Sequence, residues 1–289
     1  ILINKKIMED VNSKNELTSI LDSKLISATL YDIKIVDCGS YLQVYIYENK
    51  RLRRKKEKSP ELELKRYKVE NMVQSATKME KDIELQPNIE FRNIMRSKLE
   101  CQRIAKANID DWKTFITLTF EENIQDVKVA NKRFKYFIDK VRRVKPNLKY
   151  LCITEFQKRG AIHYHMLSNI SIKDKTLIYS QEDNPKYKHI KFWNEGFDSI
   201  EVMKGDVKKI IGYISKYMTK DIDNRLFSHR RYFYSQNLQQ PKVNYINKDN
   251  LKELDFYKKI IQDANLVYND KYINPYDNTE VIFLEYLKN

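Results

Sequence analysis

Residues 151–168 read Leu-Cys-Ile-Thr-Glu-Phe-Gln-Lys-Arg-Gly-Ala-Ile-His-Tyr-His-Met-Leu-Ser, and this stretch decides the fold. It predicts two strands joined by a turn at residues 158–160. Because successive strand side chains point to opposite faces, His163 and His165 share one face. The hairpin also brings Glu155 beside them. Two imidazoles and a carboxylate are typical of a divalent-metal site with open positions, and the plainer alternative is a pair of hydrogen-bonded core histidines.

The composition favours a polyanionic partner. The chain of 289 residues carries 54 Lys and Arg against 40 Asp and Glu, a formal net charge of +14. Nucleic acid is the simplest partner for such a charge. Three cysteines without a C-x-x-C pair predict a reducing cytoplasm, with neither a disulfide framework nor a zinc ribbon. No apolar run of about 18 residues is present, so no membrane span is expected.

Other stretches predict a sheet covered by helices. Residues 31–47 alternate around a glycine turn, as in a second hairpin, and residues 115–120 form the best single strand. Residues 88–107 and 126–144 have helical spacing, whereas residues 169–191 are polar and predict a loop. We therefore expect an α+β fold with a mainly antiparallel central sheet and flanking helices.

The stretch 206–221 predicts a helix with two different faces. One face is apolar, and on another Tyr213 and Tyr217 lie one turn apart, with Lys216 and Lys220 repeating that spacing beside them. Tyrosine can be a covalent nucleophile, and a neighbouring ammonium favours tyrosinate and can hold a phosphate oxygen. The alternative, a tyrosine packed on the sheet with solvated lysines, is favoured by the helix alone. The His-x-His motif upstream reverses that preference.

Together these motifs resemble the HUH endonucleases, in particular the rolling-circle replication initiators of phages and plasmids. Residues 115–120 are similar to the first family motif, a threonine-bearing hydrophobic strand, and residues 155–165 to the second, with an acidic residue eight positions before the first His. Residues 213–220, Tyr-x-x-Lys-Tyr-x-x-Lys, resemble the third in its two-tyrosine form. The basic segment at residues 230–235 resembles a post-catalytic strand of bacterial members. The resemblance covers roughly residues 90–240.

The resemblance implies an HUH (RRM-like) fold and a metal-assisted attack of tyrosine on a phosphodiester. Mn²⁺ or Mg²⁺ would be held by His163, His165 and Glu155, with Gln157 as a second candidate for the third ligand. Mn²⁺ suits a mixed nitrogen and oxygen set better than Mg²⁺ does. The tyrosines would leave a 5′-phosphotyrosine and a free 3′-hydroxyl. The catalytic residues implied are Tyr213, Tyr217, Lys216 and Lys220.

The expected partners are single-stranded and origin DNA, a host helicase and a DNA polymerase, in the cytoplasm of a bacterial host. A separate helicase is expected because the five glycines compose no P-loop motif. Residues 50–58 hold seven basic residues, either a solvated charge run or a phosphate-contacting arm. The predicted DNA contacts are Lys158, Arg159, Arg230, Arg231, Arg53 and Arg54.

Three regions are predicted along the chain. Residues 1–90 form an accessory region with a hairpin and the basic arm, residues 91–240 the nicking domain, and residues 241–289 a helical extension. Two alternatives for the function stay open. One is a transposase or relaxase of a mobile element, which would use the same cleavage step. The other is a non-enzymatic, sequence-specific DNA-binding autoregulator.

Overall fold

The computed structural model describes residues 28–54, 86–157, 159–182, 184, 186–203, 207–219, 230–274 and 277–289. They form, in chain order, β1 (Ala28–Cys38), β2 (Tyr41–Arg54), α1 (Gln86–Ala107), β3 (Thr114–Thr119), α2 (Val127–Val144), β4 (Tyr150–Phe156), β5 (Ile162–Ser168), β6 (Ile178–Ser180), β7 (Lys188–Ile190), β8 (Asp198–Val202), α3 (Val207–Thr219), β9 (Tyr232–Tyr234), β10 (Lys242–Ile246), α4 (Leu251–Gln262), β11 (Ala264–Ile273) and β12 (Glu280–Lys288). Within these residues, no helix combines the length and apolar character needed to cross a membrane.

The predicted α+β class is confirmed. The strands make antiparallel sheets in the orders β8-β3-β5-β4-β9, β10-β1-β2-β12-β11 and β6-β7. Contacts divide the described residues into two compact units. The central unit holds those of 37–41 and 86–242, and the terminal unit holds those of 28–36, 42–54 and 243–289. The predicted domain boundaries stay a prediction, although the first and last segments contribute strands to one sheet.

Helix α2 covers one face of the central sheet. The side chain of Asp126 caps its first turn by accepting hydrogen bonds from the backbone N–H groups of Lys128 and Val129, at 2.7 and 3.2 Å. Its apolar stripe packs on alternate strand residues, and the ring of Phe134 stacks on Tyr164 with centroids 4.5 Å apart. The helix ends at Val144, as the 126–144 pattern predicts.

Helices α1 and α3 pack with the opposite face of the same sheet. Ile104 of α1 and Ile210 and Ile214 of α3 join Phe115 and Ile153 in one buried cluster. Tyr164 packs with α2, whereas its neighbours His163 and His165 are in register with Glu155 and Thr117 on the α1 and α3 side. The predicted alternation of the β5 side chains is therefore confirmed.

In the terminal unit, α4 covers one face of the second five-stranded sheet. The buried side chains of Ile35, Leu42, Val44 and Ile246 pack with apolar residues of α4. The predicted 31–47 hairpin is present, and its turn contains Gly39 with a φ of +70°, where a side chain would be strained.

Two secondary-structure predictions differ from the structure. The helical extension predicted for residues 241–289 contains one helix and three strands, β10 to β12. Strand β12, Glu-Val-Ile-Phe-Leu-Glu-Tyr-Leu-Lys, lacks a clear alternation of polar and apolar residues, so its sequence does not distinguish strand from helix. The loop predicted for residues 169–191 contains β6 and β7, whose three residues each are too short to show a period.

Candidate active site

Two predicted metal ligands make direct contact beneath helix α3. Nε2 of His165 lies 2.6 Å from Oε2 of Glu155, and both side chains are buried. Because an ionised carboxylate only accepts, the imidazole Nε2–H donates to Glu155. Nδ1 of His165 lies 3.1 Å from Oγ1 of Thr117 on β3, whose hydroxyl can donate to it. This pairing fixes the ring orientation of His165 from both sides.

His163 lies next to this pair. It is buried and directly opposite Glu155 in the β4–β5 register, with its ring centroid 6.1 Å from that of His165. The register thus brings the three predicted ligands together on one face, as the alternation of the hairpin indicates.

The chemistry of these donors fits a divalent ion. A proton now lies between His165 and Glu155, and a cation would replace it because both atoms are established metal donors. In the part of the chain that the structure describes, no three His, Cys, Asp or Glu side chains are already arranged to hold an ion. The residues that fit are therefore His165 and Glu155, with His163 beside them.

Gln157, the other candidate ligand, is engaged in the turn after β4. Its Oε1 accepts a hydrogen bond from Nε of Arg159 at 2.7 Å. Arg159 also donates to the carbonyl oxygens of Phe120 and Glu121, at 2.5 and 3.3 Å. These bonds tie the turn to the end of β3, so the structure gives Arg159 a bracing role in addition to its predicted contact with DNA.

Helix α3 places the two candidate tyrosines against the sheet. Its buried residues Ile210, Ile214 and Met218 hold it to the core, and Ser215 accepts a hydrogen bond from Gln102 of α1 at 2.7 Å. Tyr213, one turn before Tyr217, then falls on the half-buried border of this packed stripe.

The ring of Tyr217 stacks directly on His165. Their centroids lie 3.6 Å apart with planes 16° from parallel. Nζ of Lys216 lies 5.1 Å from the Tyr217 centroid, within the range of a cation–π interaction. A nucleophile, an ammonium and a metal-type histidine therefore meet at one place.

Tyr213 has a different environment. Its ring stacks on Phe115 with centroids 4.4 Å apart, and its hydroxyl donates to Oε2 of Glu201 on β8 at 2.6 Å. Nζ of Lys209 lies 3.2 Å from the same carboxylate oxygen. Burial and the negative charge of Glu201 raise the pKa of Tyr213, and Lys209 opposes that rise.

Three contributors to the site escaped the sequence analysis as individual residues, namely Thr117, Phe115 and Glu201. Thr117 and Phe115 lie in the strand already predicted as a scaffold, and the i, i+2 spacing from Phe115 was the signal that they share a face. Glu201 gave no such signal, since its partner Tyr213 lies across a strand-to-helix connection.

The predicted DNA-contacting residues lie at several places. Arg230 is exposed and Arg231 half-buried just before β9, which pairs with β4. Arg53 is exposed in β2 of the terminal unit. Lys158, Lys220 and the side chain of Arg54 lie outside the described residues.

The segment that builds this site matches a known family. Residues 113–222 match the family model for the replication-associated protein ORF2. The chain is 30% identical over 127 residues to the Phasyl DNA replicon protein arp of Escherichia coli, a match that covers 38% of this chain and 44% of that protein. This chain thus matches less than half the length of that relative. No solved structure matches. The matched segment contains the histidines, Glu155 and both tyrosines.

Proposed function

We propose that this chain is a replication initiator that nicks single-stranded origin DNA through a tyrosine nucleophile and rejoins strands. The observation that carries the proposal is the stack of Tyr217 on His165, which is itself bonded to Glu155. This contact lies in the segment that matches a replication-associated family. The activity is that of a site-specific DNA endonuclease and strand transferase.

The tyrosine hydroxyl performs the covalent step. Its oxygen forms a bond to the phosphorus, the bond from phosphorus to the 3′-oxygen breaks, and the phenolic proton passes to a base while the 3′-oxygen takes one up. The products are a 5′-phosphotyrosine and a 3′-hydroxyl that can prime synthesis. Because the phosphodiester is exchanged rather than hydrolysed, the reverse attack by a 3′-hydroxyl rejoins DNA.

His165, Glu155 and His163 would hold Mn²⁺ or Mg²⁺. When bound, the ion supplies a Lewis acid that polarises a non-bridging oxygen of the scissile phosphate. Thr117 keeps the His165 ring oriented for this task through Nδ1. Lys216, beside Tyr217, is placed to stabilise charge on the phosphate, and the predicted role of Lys220 is the same.

The two tyrosines take different turns in this proposal. Tyr217 attacks first, because its ring contacts His165. Tyr213 attacks second, because its hydroxyl must first leave a hydrogen bond to Glu201 and its pKa is raised. Glu201 is positioned to accept the phenolic proton of Tyr213 at that stage.

The direct test is formation of a covalent adduct. Labelled single strands that tile the replicon carrying the gene are incubated with the full chain and Mn²⁺, and SDS-stable attachment is measured. We expect an adduct at one site, with a free 3′-hydroxyl, that a Tyr213→Phe, Tyr217→Phe double variant does not form. An undiminished adduct in the double variant would overturn the nucleophile assignment.

A matched control lies on the opposite face of the sheet. Tyr136 of α2 is exposed and has Nζ of Lys140 at 4.3 Å from its ring centroid, so it repeats the Tyr–Lys pairing of α3. Tyr136→Phe should leave the adduct unchanged.

A second candidate is a DNA-binding autoregulator without cleavage. It is favoured by the finding that the described His, Cys, Asp and Glu residues include no ready three-ligand group. Tight binding of the origin strand with no nick at any Mn²⁺ or Mg²⁺ concentration would select this candidate.

A further inference from the structure

A cluster of tyrosines lies in the terminal unit, on strands that the family match does not cover. The ring of Tyr31 contacts those of Tyr245 and Tyr47, with centroids 4.7 and 5.8 Å apart and planes near perpendicular. The three residues come from β1, β10 and β2, neighbours in the sheet. Each of the three side chains remains partly exposed.

Two arginines lie over this cluster. The guanidinium carbons of Arg51 and Arg53 lie 4.3 Å from the ring centroids of Tyr47 and Tyr245 respectively. Arg51 also pairs with Asp277 at 2.7 Å, whereas Arg53 is exposed. We name Tyr31, Tyr47, Tyr245, Arg51 and Arg53 the tyrosine–arginine surface.

This surface is distinct from the packed side of its sheet. Ile246 is buried in the core that includes α4, and its strand neighbour Tyr245 therefore points to the other face. Aromatic rings that only complete a core are normally enclosed by apolar side chains, but these rings carry charged guanidiniums instead. That combination is the one that single-stranded nucleic acids use.

The charge around the surface is complementary to a polyanion. Arg53 is followed in sequence by Arg54, Lys55 and Lys56, within the basic run of residues 50–58. The carboxylate of Asp277 offsets Arg51, and Asp270 lies on the β11 side of the sheet, paired in register with Phe283. The positive charge is thus concentrated at Arg53 and the residues after it.

We propose that the tyrosine–arginine surface binds single-stranded DNA, as a second DNA site in a different compact unit from the tyrosine–histidine site. Unpaired bases stack on the tyrosine rings or on the outer plane of a guanidinium, and the basic residues contact phosphates. Because every base has a π-face, this binding tolerates any sequence. The proposal goes beyond nicking and does not require it.

The test measures the affinity of the full chain for a labelled oligothymidylate of about 15 nucleotides by fluorescence anisotropy. Tyr245→Leu should weaken binding by about tenfold, because stacking of a base is lost. Arg53→Gln should weaken it as well and reduce the salt dependence by about one phosphate contact. Tyr245→Phe, which keeps the ring, should retain the affinity.

Matched controls are available on α4, on the other side of the same sheet. Phe256 and Lys252 are both exposed there, so Phe256→Leu and Lys252→Gln remove a ring and a charge without touching the surface. Both should bind within about twofold of the parent chain. Melting temperatures of all variants confirm that the terminal unit is folded.

A strand of abasic nucleotides separates stacking from charge. The parent chain should bind it about tenfold more weakly than oligothymidylate, and Tyr245→Leu should abolish that difference. Equal affinity of Tyr245→Leu and Phe256→Leu for oligothymidylate would overturn the proposal, as would tighter binding of the matching RNA strand.

Failure of the nicking proposal gives a different result. The Tyr213→Phe, Tyr217→Phe double variant should bind oligothymidylate normally, since its substitutions lie in the central unit. Tyr245→Leu should still form the adduct with a short origin strand. A chain that never nicks DNA but loses affinity through Tyr245→Leu would refute nicking and support this surface.

Discussion

The two five-stranded sheets of this protein have the same antiparallel construction but different second faces. The central sheet has α2 on one face and α1 with α3 on the other, so Glu155 and His165 are buried. The terminal sheet has α4 on one face and partly exposed tyrosines and arginines on the other. Burial strengthens interactions between charged groups, whereas exposure leaves rings and guanidiniums accessible. The first face is therefore suited to chemistry and the second to binding.

The largest expected effect concerns the buried polar face of the central sheet. Glu155→Ala should lower adduct formation by at least about 100-fold, because it removes a metal donor and the partner that orients His165. The measurement is the rate of adduct formation at fixed Mn²⁺. Its result decides whether that face performs chemistry at all.

The control for this change is the neighbouring residue on the opposite face. Thr154 is buried, and its Oγ1 has no hydrogen-bond partner among the residues that the structure describes. Thr154→Val keeps the shape and should leave both the adduct and the stability unchanged. Equal losses for Glu155→Ala and Thr154→Val would indicate a folding defect instead of a chemical role.

The next effect separates the two tyrosines within the site. Tyr217→Phe should slow the first adduct by about tenfold more than Tyr213→Phe, because Tyr217 is the residue in contact with His165. Peptide mapping of the adduct identifies the residue used. Attachment that begins at Tyr213 would reverse the assigned order.

A smaller effect contrasts one arginine from each unit. Arg159→Ala should lower the free energy of unfolding by about 1 kcal/mol, since its hydrogen bonds tie the turn after β4 to β3. Arg53→Gln should change stability little and DNA affinity more. Chemical denaturation and anisotropy on both variants measure the contrast, and the reverse pattern would assign DNA binding to Arg159.

The smallest expected effect is a shift in the titration of Tyr213. Glu201 raises the pKa of this tyrosine, so Glu201→Gln should lower it and let tyrosinate form at a lower pH. Ultraviolet difference absorbance in a Tyr217→Phe background follows the titration. Adduct formation through Tyr213 should then begin at a lower pH, and an unchanged titration curve would contradict the role of Glu201.

Local patterns predicted a good part of the site. The alternation around Tyr164 placed both histidines on one face, and the spacing of three and four residues placed Tyr213 and Tyr217 together on α3. These predictions succeed because strand and helix periods depend on neighbouring residues. The pattern failed for β12, where the apolar run fits either period, and the C-terminal region was expected to be helical.

The sequence by itself determined the α+β class, the shared face of His163 and His165 and the paired tyrosines, because each follows from the period of one element. Only the tertiary structure decided that Tyr217 stacks on His165 while Tyr213 donates to Glu201. It also brought β1 and β2 into one sheet with β10, β11 and β12, from opposite ends of the chain. Such pairings depend on how distant segments pack, and no local repeat in the sequence encodes them.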